Sequence, residues 1–254
     1  MLWRFLDSGA LDGAEQMALD AGLMDRARET GEGVLRVYRW PRPTLSFGRH
    51  ESVRARFSPE RLELEDVGAV RRPTGGRVLM HDREVTYSVT APAPDGQRLK
   101  ESYRRINTML ISAIARLGVP VTEAQPLTAP RRPGGAACFA EPSKGELVID
   151  NRKLVGSAQL RENGALLQHG SILIDDDQSR ITRLGTQPIA AAVPAATLRA
   201  ALGRAPEYNE VRDALRAALA EIEGEPLTLD RHEASHFAAP HRARFTSAEW
   251  TWRS

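Results

Sequence analysis

Apolar and polar positions along this chain repeat with two different periods, and the change from one to the other marks its elements. From Gly13 to Arg28, Ala14, Met17, Ala18, Ala21 and Met24 fall close to one face at helical spacing. Asp12 stands at the N-cap, with Glu15 three residues on as in a capping box. A stronger stripe, Tyr103, Ile106, Leu110, Ile114 and Leu117, predicts a helix over about Glu101 to Leu117, with Gly118 at its C-cap. Tyr208, Val211, Leu215, Ala218 and Ile222 predict another from about Glu207 to Ile222, and a short helix is expected near Asp230 to Phe237. Strands are predicted at Val34 to Trp40, broken by Pro41 and Pro43 and resumed at Thr44 to Gly48, and at Val67 to Arg72. In Glu84 to Thr90, Val85, Tyr87 and Val89 alternate with Glu84, Thr86 and Ser88, which predicts a half-buried strand. Glu146 to Ile149 and Lys153 to Leu160 read as a hairpin turning near Asp150-Asn151-Arg152, followed by a strand from Ala165 to Ile174. Residues 121–144 are irregular and rich in Pro, Gly and Ala.

The strands cluster in the first two-thirds, and several are joined by turns too short for parallel crossovers. The expected class is therefore α+β, with a mixed, largely antiparallel sheet and helices packed on it. With 254 residues, no repeat and no long linker, one catalytic domain over 1–254 is expected, with a helical portion from about 190. Apolar residues at 41% and charged residues at 27% describe a folded chain rather than a disordered one. Net charge +2 leaves no electrostatic footprint for nucleic acid. No apolar run is long enough to span a membrane, and the N-terminus lacks the apolar core of an export signal. A single cysteine, Cys138, excludes an intramolecular disulfide and fits a reducing cytoplasm. Only Lys100, Lys144 and Lys153 are lysines among 35 Lys+Arg residues. A lysine kept in so arginine-rich a chain asks whether a compact, deprotonatable amine is needed there.

Three stretches could carry chemistry. RRPTGGRVLMHD, residues 71–82, places Gly75-Gly76 where backbone amides can approach a ligand, flanked by Arg71, Arg72 and Arg77. It suits a carboxylate, phosphate or thioester-bearing ligand and equally reads as a basic surface loop; it matches neither GxxxxGK[ST] nor GxGxxG. In the second, from Cys138 to Gly170, a lone cysteine can be a nucleophile or a small buried hydrophobe. Lys153 can be a site amine or a solvated strand lysine. Gly156-Ser157-Ala158 leaves room against a strand, and His169-Gly170 on the next strand could face the same cleft. The third, His232-Glu233-Ala234-Ser235-His236, matches HExxH, but its helix is short, ends at Pro240 and lacks a strong apolar face. A solvated polar helix is the expectation there.

Taken together these motifs resemble the lipoate–protein ligase, octanoyltransferase and biotin–protein ligase superfamily. The resemblance runs through WRFLDSG and DGAEQMALD (3–20), LRVYRWPRPTLSFGRH (35–50), RRPTGGRVLMHD and EVTYSV (71–89), KLVGSAQLRENGALLQHGSILI (153–174) and FTSAEW (245–250). Arg77 stands where ATP-using lipoate ligases usually carry a third glycine, and ACFAEPSKGELVI (137–149) is similar to the cysteine-loop octanoyl-[acyl carrier protein]:protein N-octanoyltransferases.

That resemblance implies the biotin/lipoate ligase catalytic-domain fold and an acyl transfer without a cofactor. Cys138 and Lys153 would be catalytic. Arg72, Thr74, Gly75, Gly76, Arg77, His81, Gly156, Ser157, Ala158, His169 and Gly170 would line the substrate site. The donor would be octanoyl-acyl carrier protein and the acceptor the glycine cleavage H protein or another lipoyl domain, with Arg71, Arg72, Arg77, Arg131 and Arg132 steering the acidic donor. An amidotransferase between lipoyl domains, an ATP-dependent lipoate ligase and a non-catalytic carrier-binding module are the other expectations.

Overall fold

Asp12 caps the first long helix as its spacing predicts: its side chain accepts from Glu15 N, and α1 runs Gly13–Thr30 after a first strand, β1, at Trp3–Ala10. The computed structural model describes residues 1–94, 99–125, 145–175, 178–186 and 194–253. In chain order there follow β2 (Gly33–Arg39), β3 (Thr44–Phe47), α2 (Pro59–Leu64), β4 (Gly68–Arg71), β5 (Leu79–His81), β6 (Glu84–Pro92), α3 (Leu99–Arg116) and β7 (Thr122–Glu123). Then come β8 (Leu147–Ile149), β9 (Arg152–Glu162), β10 (Ala165–Leu173), α4 (Ile181–Leu184), α5 (Leu198–Leu202), α6 (Tyr208–Glu223), β11 (Leu227–Thr228), α7 (Arg231–Ala238), α8 (Arg242–Thr246) and α9 (Ala248–Thr251).

The expected α+β architecture is borne out. An eight-stranded sheet runs in the order β11-β1-β2-β6-β10-β9-β8-β7, and a three-stranded sheet in the order β4-β3-β5. Among the described residues only β11–β1, β1–β2 and β3–β4 are parallel. The β8–β9 hairpin turns through Asp150 and Asn151, both at positive φ (48° and 58°), as a tight two-residue hairpin turn requires.

Two sequence expectations change. β6 is buried on both faces except at its last residue, not half-buried. Val85, Tyr87 and Val89 join the apolar core beneath α3 and α6, while Glu84, Thr86 and Ser88 enter a polar layer on the side of α1. Likewise α1 is buried on nearly every side between Gln16 and Met24, not along one stripe, because α7 and α8 pack on the side away from the sheet. The approach is so close that a Cβ at Gly22 would overlap the Phe237 carbonyl. β1, α2 and β5 were not signalled by the sequence; β1 mixes polar and apolar positions, and the other two are too short to show a period.

Candidate active site

Strand register decides which predicted residues share a face. β10 pairs with β9 so that His169 faces Ala158, Gly170 faces Ser157 and Ser171 faces Gly156. The expected cross-strand meeting of these stretches is therefore present, but side chains alternate between faces. His169 points to α1, where its Nδ1 lies 2.9 Å from Asp20 Oδ2. Gly156 and Ala158 share that face by register. Ser157 and Gly170 belong to the other face, where Tyr87 Oη lies 2.7 Å from Ser157 Oγ. A Cβ at Gly170 would sit 2.5 Å from the Gly156 carbonyl oxygen and 2.7 Å from the Tyr87 ring. Gly170 thus makes room for Tyr87, whose hydroxyl burial pushes up to about 12.

Lys153 reaches the α1 face through an irregularity. Val148 pairs with Lys153, but Leu147 pairs with Val155, so β9 carries one extra residue, Leu154, at this point. Such a bulge turns the two flanking residues to opposite faces. Val155 and Leu147 enter the α3 core, and Lys153 turns away from it, with Nζ 2.5 Å from Glu146 Oε1. Both side chains are buried, Lys153 1% and Glu146 8% exposed. Lys153 is therefore no solvated strand lysine, and Glu146 gives its ammonium a counter-ion where water cannot.

The glycine loop is fastened to this face. Thr74 Oγ1 lies 2.6 Å from His169 Nε2, and both residues are buried. Asp20 is held below the usual carboxylate range: burial opposes its ionisation, but Arg36 at 2.7 Å and the His169 contact outweigh it. An ionised Asp20 only accepts, which assigns the Nδ1 proton to His169, while Nε2 meets the Thr74 hydroxyl. Beyond Thr74 the loop presses on the chain after β3, where a Cβ at Gly48 would overlap the Gly76 carbonyl and Gly76 itself has φ +100°. Side chains are sterically barred here.

A second relay runs parallel to the first. Arg72 Nη1 donates to Ser46 Oγ at 2.6 Å, Ser46 Oγ lies 2.7 Å from His81 Nε2, and His81 Nδ1 lies 3.0 Å from Glu84 Oε1. Trp40 stacks on His81 with ring centroids 4.2 Å apart. Burial, then the charges of Arg72 and His169, depress His81 well below an ordinary histidine. Burial pushes the Glu84 carboxyl up to about 8, against hydrogen bonds from Thr86 and Trp40.

Arg71 and Arg72 are not part of the exposed steering surface expected. Arg71 is fully buried, and its guanidinium donates to the carbonyls of Gly48, Arg49, Glu51, Trp250, Thr251 and Arg253. Arg72 is buried too, donating to the carbonyls of Ser46, Gly75 and Arg77 besides Ser46 Oγ. These two hold the loop in shape, because a guanidinium fork can satisfy several carbonyls that a turn leaves over. Arg77 is half-buried. Cys138, Arg131 and Arg132 lie outside the described residues.

Sequence reading missed Asp20, Arg36, Ser46, Glu84 and Glu146. The signals available were Asp20 within the apolar run of α1 and Arg36 within the apolar run of β2, each a charge where burial was expected. The HExxH histidines are solvent-exposed with Glu233 between them, and Asp230 caps their helix. His241 instead meets Asp25 at 2.6 Å. Among the described residues no group of three or more His, Cys, Asp or Glu could hold a metal ion.

This fold is that of the lipoate–protein ligases. Lipoate-protein ligase A bound with ATP superposes with a TM-score of 0.81 at 17% identity, over 99% of both chains. A bi-partite lipoate protein ligase from Thermoplasma acidophilum superposes at 0.77 with 18% identity, over 99% of this chain and 96% of that one. The lipoyl protein ligase A/B catalytic domain matches residues 12–220, and the chain belongs to that family. Among curated relatives, octanoyltransferase LipM of Halalkalibacterium halodurans is 36% identical over 99% of each chain. LipM of Bacillus subtilis is 33% identical over 99% of this chain and 98% of its own.

Proposed function

We propose that this protein transfers an octanoyl group from octanoyl-acyl carrier protein to a lysine of a lipoyl carrier protein, such as the glycine cleavage H protein, through a thioester on Cys138. The likeness to octanoyltransferases along the whole chain supports the acyl group. The observation that carries the mechanism is Lys153. A strand bulge turns this buried ammonium, with its Glu146 counter-ion, onto the face that holds His169 and the glycine loop.

In the first step the Cys138 thiolate attacks the octanoyl thioester carbonyl. The new carbon–sulfur bond forms, the bond to the carrier's sulfur breaks, and the carrier leaves as a thiolate that takes a proton. In the second, the acceptor lysine amine attacks the Cys138 thioester. A carbon–nitrogen bond forms, Cys138 leaves as thiolate, and the amine gives up a proton. Exchange between thioesters is nearly isoenergetic and thioester to amide runs downhill, so neither step needs ATP. Lys153 supplies fixed positive charge for the oxyanion of each tetrahedral intermediate and for the thiolate. Gly156, Ala158, Gly75 and Gly76 leave width for the acyl chain on the α1 face, and chain length is read at ~0.8 kcal/mol per buried methylene. A reducing cytoplasm keeps the single cysteine available.

Incubation with octanoyl-acyl carrier protein and no ATP should give, by intact mass, one hydroxylamine-sensitive octanoyl adduct that Cys138→Ala lacks. No adduct, together with full transfer by Cys138→Ala, would sink the mechanism. Repeating the measurement with octanoylated H protein as donor distinguishes an amidotransferase.

A further inference from the structure

Arg71 and Arg72 are buried, so the positive charge that a partner protein can meet must lie elsewhere. Three other arginines gather where the C-terminal segment crosses the chain after β3. Arg244 lies over the Trp250 ring at 3.8 Å and Arg253 over the same ring at 4.4 Å. Arg49 is joined to them because Arg253 Nη2 donates to the Arg49 carbonyl. The cluster is built, since buried Arg71 binds the carbonyls of residues 48, 49, 51, 250, 251 and 253 and so fixes both segments.

Its charge is poorly compensated. The half-buried Arg244 guanidinium has no hydrogen-bond acceptor and no ion-pair partner among the described residues. Burial, then the charges of Arg49 and Arg253, lower its pKa, with Glu162 opposing. Among the described residues Glu162 is also the one carboxylate paired with Arg49, at 3.5 Å and itself 45% exposed. Two guanidiniums over one indole and a third close enough to depress Arg244, with a single loose carboxylate among the described residues, form a site for external anions. Its place is next to the candidate site: Arg49 N donates to the Thr74 carbonyl at 2.7 Å, and Gly48 packs on Gly76.

We propose that Arg244 and Arg253 over Trp250, together with Arg49, are the docking patch for the acidic face of the acyl carrier protein that delivers the octanoyl group. The proposal rests on the function given above, which names that donor. Carboxylates of the carrier occupy the patch while its thioester arm reaches past the glycine loop. Because these groups lie at the surface, the attraction is screened over about 10 Å at 0.1 M salt and acts on encounter more than on chemistry.

Arg244→Glu and Arg253→Glu, singly and together, test this against Arg244→Lys, which keeps the charge. Binding of unacylated acyl carrier protein to the full chain, followed by titration calorimetry at low salt, should weaken at least tenfold in the double variant and be largely kept by Arg244→Lys. Acylation by a small donor, octanoyl-pantetheine, should be unchanged in every variant that melts like the parent. Parent-like carrier binding by the double Glu variant overturns the docking patch. Equal losses with carrier and small donor also overturn it, because the arginines would then act in the acyl site. Failure of the mechanism itself shows separately, as no Cys138 adduct from either donor, while the calorimetric result still decides the patch.

Discussion

Glu84 sits at the end of a hydrogen-bonded line from Arg72 through Ser46 and His81, and burial pushes its carboxyl up to about 8. In the unfolded chain the same group titrates near 4.5. Between these values the folded protein holds a proton that the unfolded chain has released. This contribution to stability is therefore fully present below about 4.5 and is lost as pH rises toward 8. Glu84→Gln keeps the shape and removes the titration. Melting temperature against pH should fall less steeply from pH 5 to 8 in this variant than in the parent; parallel curves would show that Glu84 does not titrate there. None of this was legible in the sequence. Glu84 reads as the polar member of an alternating strand, and only the helix on that side of the sheet makes it buried.

At the scale of elements, β9 and β10 show how little separates a site from a core. The same two strands present His169, Gly156 and Ala158 to one face and Gly170 and Ser157 to the other, and a single extra residue at Leu154 moves Lys153 from the second face to the first. The small residues 156–158 and 170 were legible as places that something lies against. What lies against Gly170 is the Tyr87 ring rather than a ligand. Gly170→Ala should cost about 1–3 kcal/mol, as other overpacked substitutions do, because the Gly156 carbonyl and the Tyr87 ring must both shift. Urea denaturation measures it; parental stability would mean that the strands part without cost.

Across the whole molecule, Arg71 joins the chain after β3, the end of β4 and the C-terminal helices through six carbonyls of distant segments. Trp250 closes the circuit by donating Nε1 to the Arg71 carbonyl at 3.0 Å. Arg71→Ala leaves those carbonyls without their donor and should lower the melting temperature by about 10 °C, taking about 4 kcal/mol and 2–4 °C per kcal/mol for a chain of this size. Arg71→Lys should recover little of it, since a point-charge ammonium cannot span six acceptors. Full recovery by lysine would show that charge alone matters.

The sequence by itself determined the helices α1, α3 and α6, the β8–β9 hairpin and the α+β class, because each rests on a local period, cap or turn. It also singled out Cys138, Lys153 and the Thr74-Gly75-Gly76 loop, in large part through resemblance to a family. Tertiary structure decided the partners: Asp20 for His169, Glu146 for Lys153, six carbonyls for Arg71. Thr74 meets His169, 95 residues further along the chain. Whether a charged side chain faces a ligand, a counter-ion or a carbonyl depends on strand register and on which distant segment covers it. Those are properties of the packed chain, and no local pattern of apolar and polar residues encodes them.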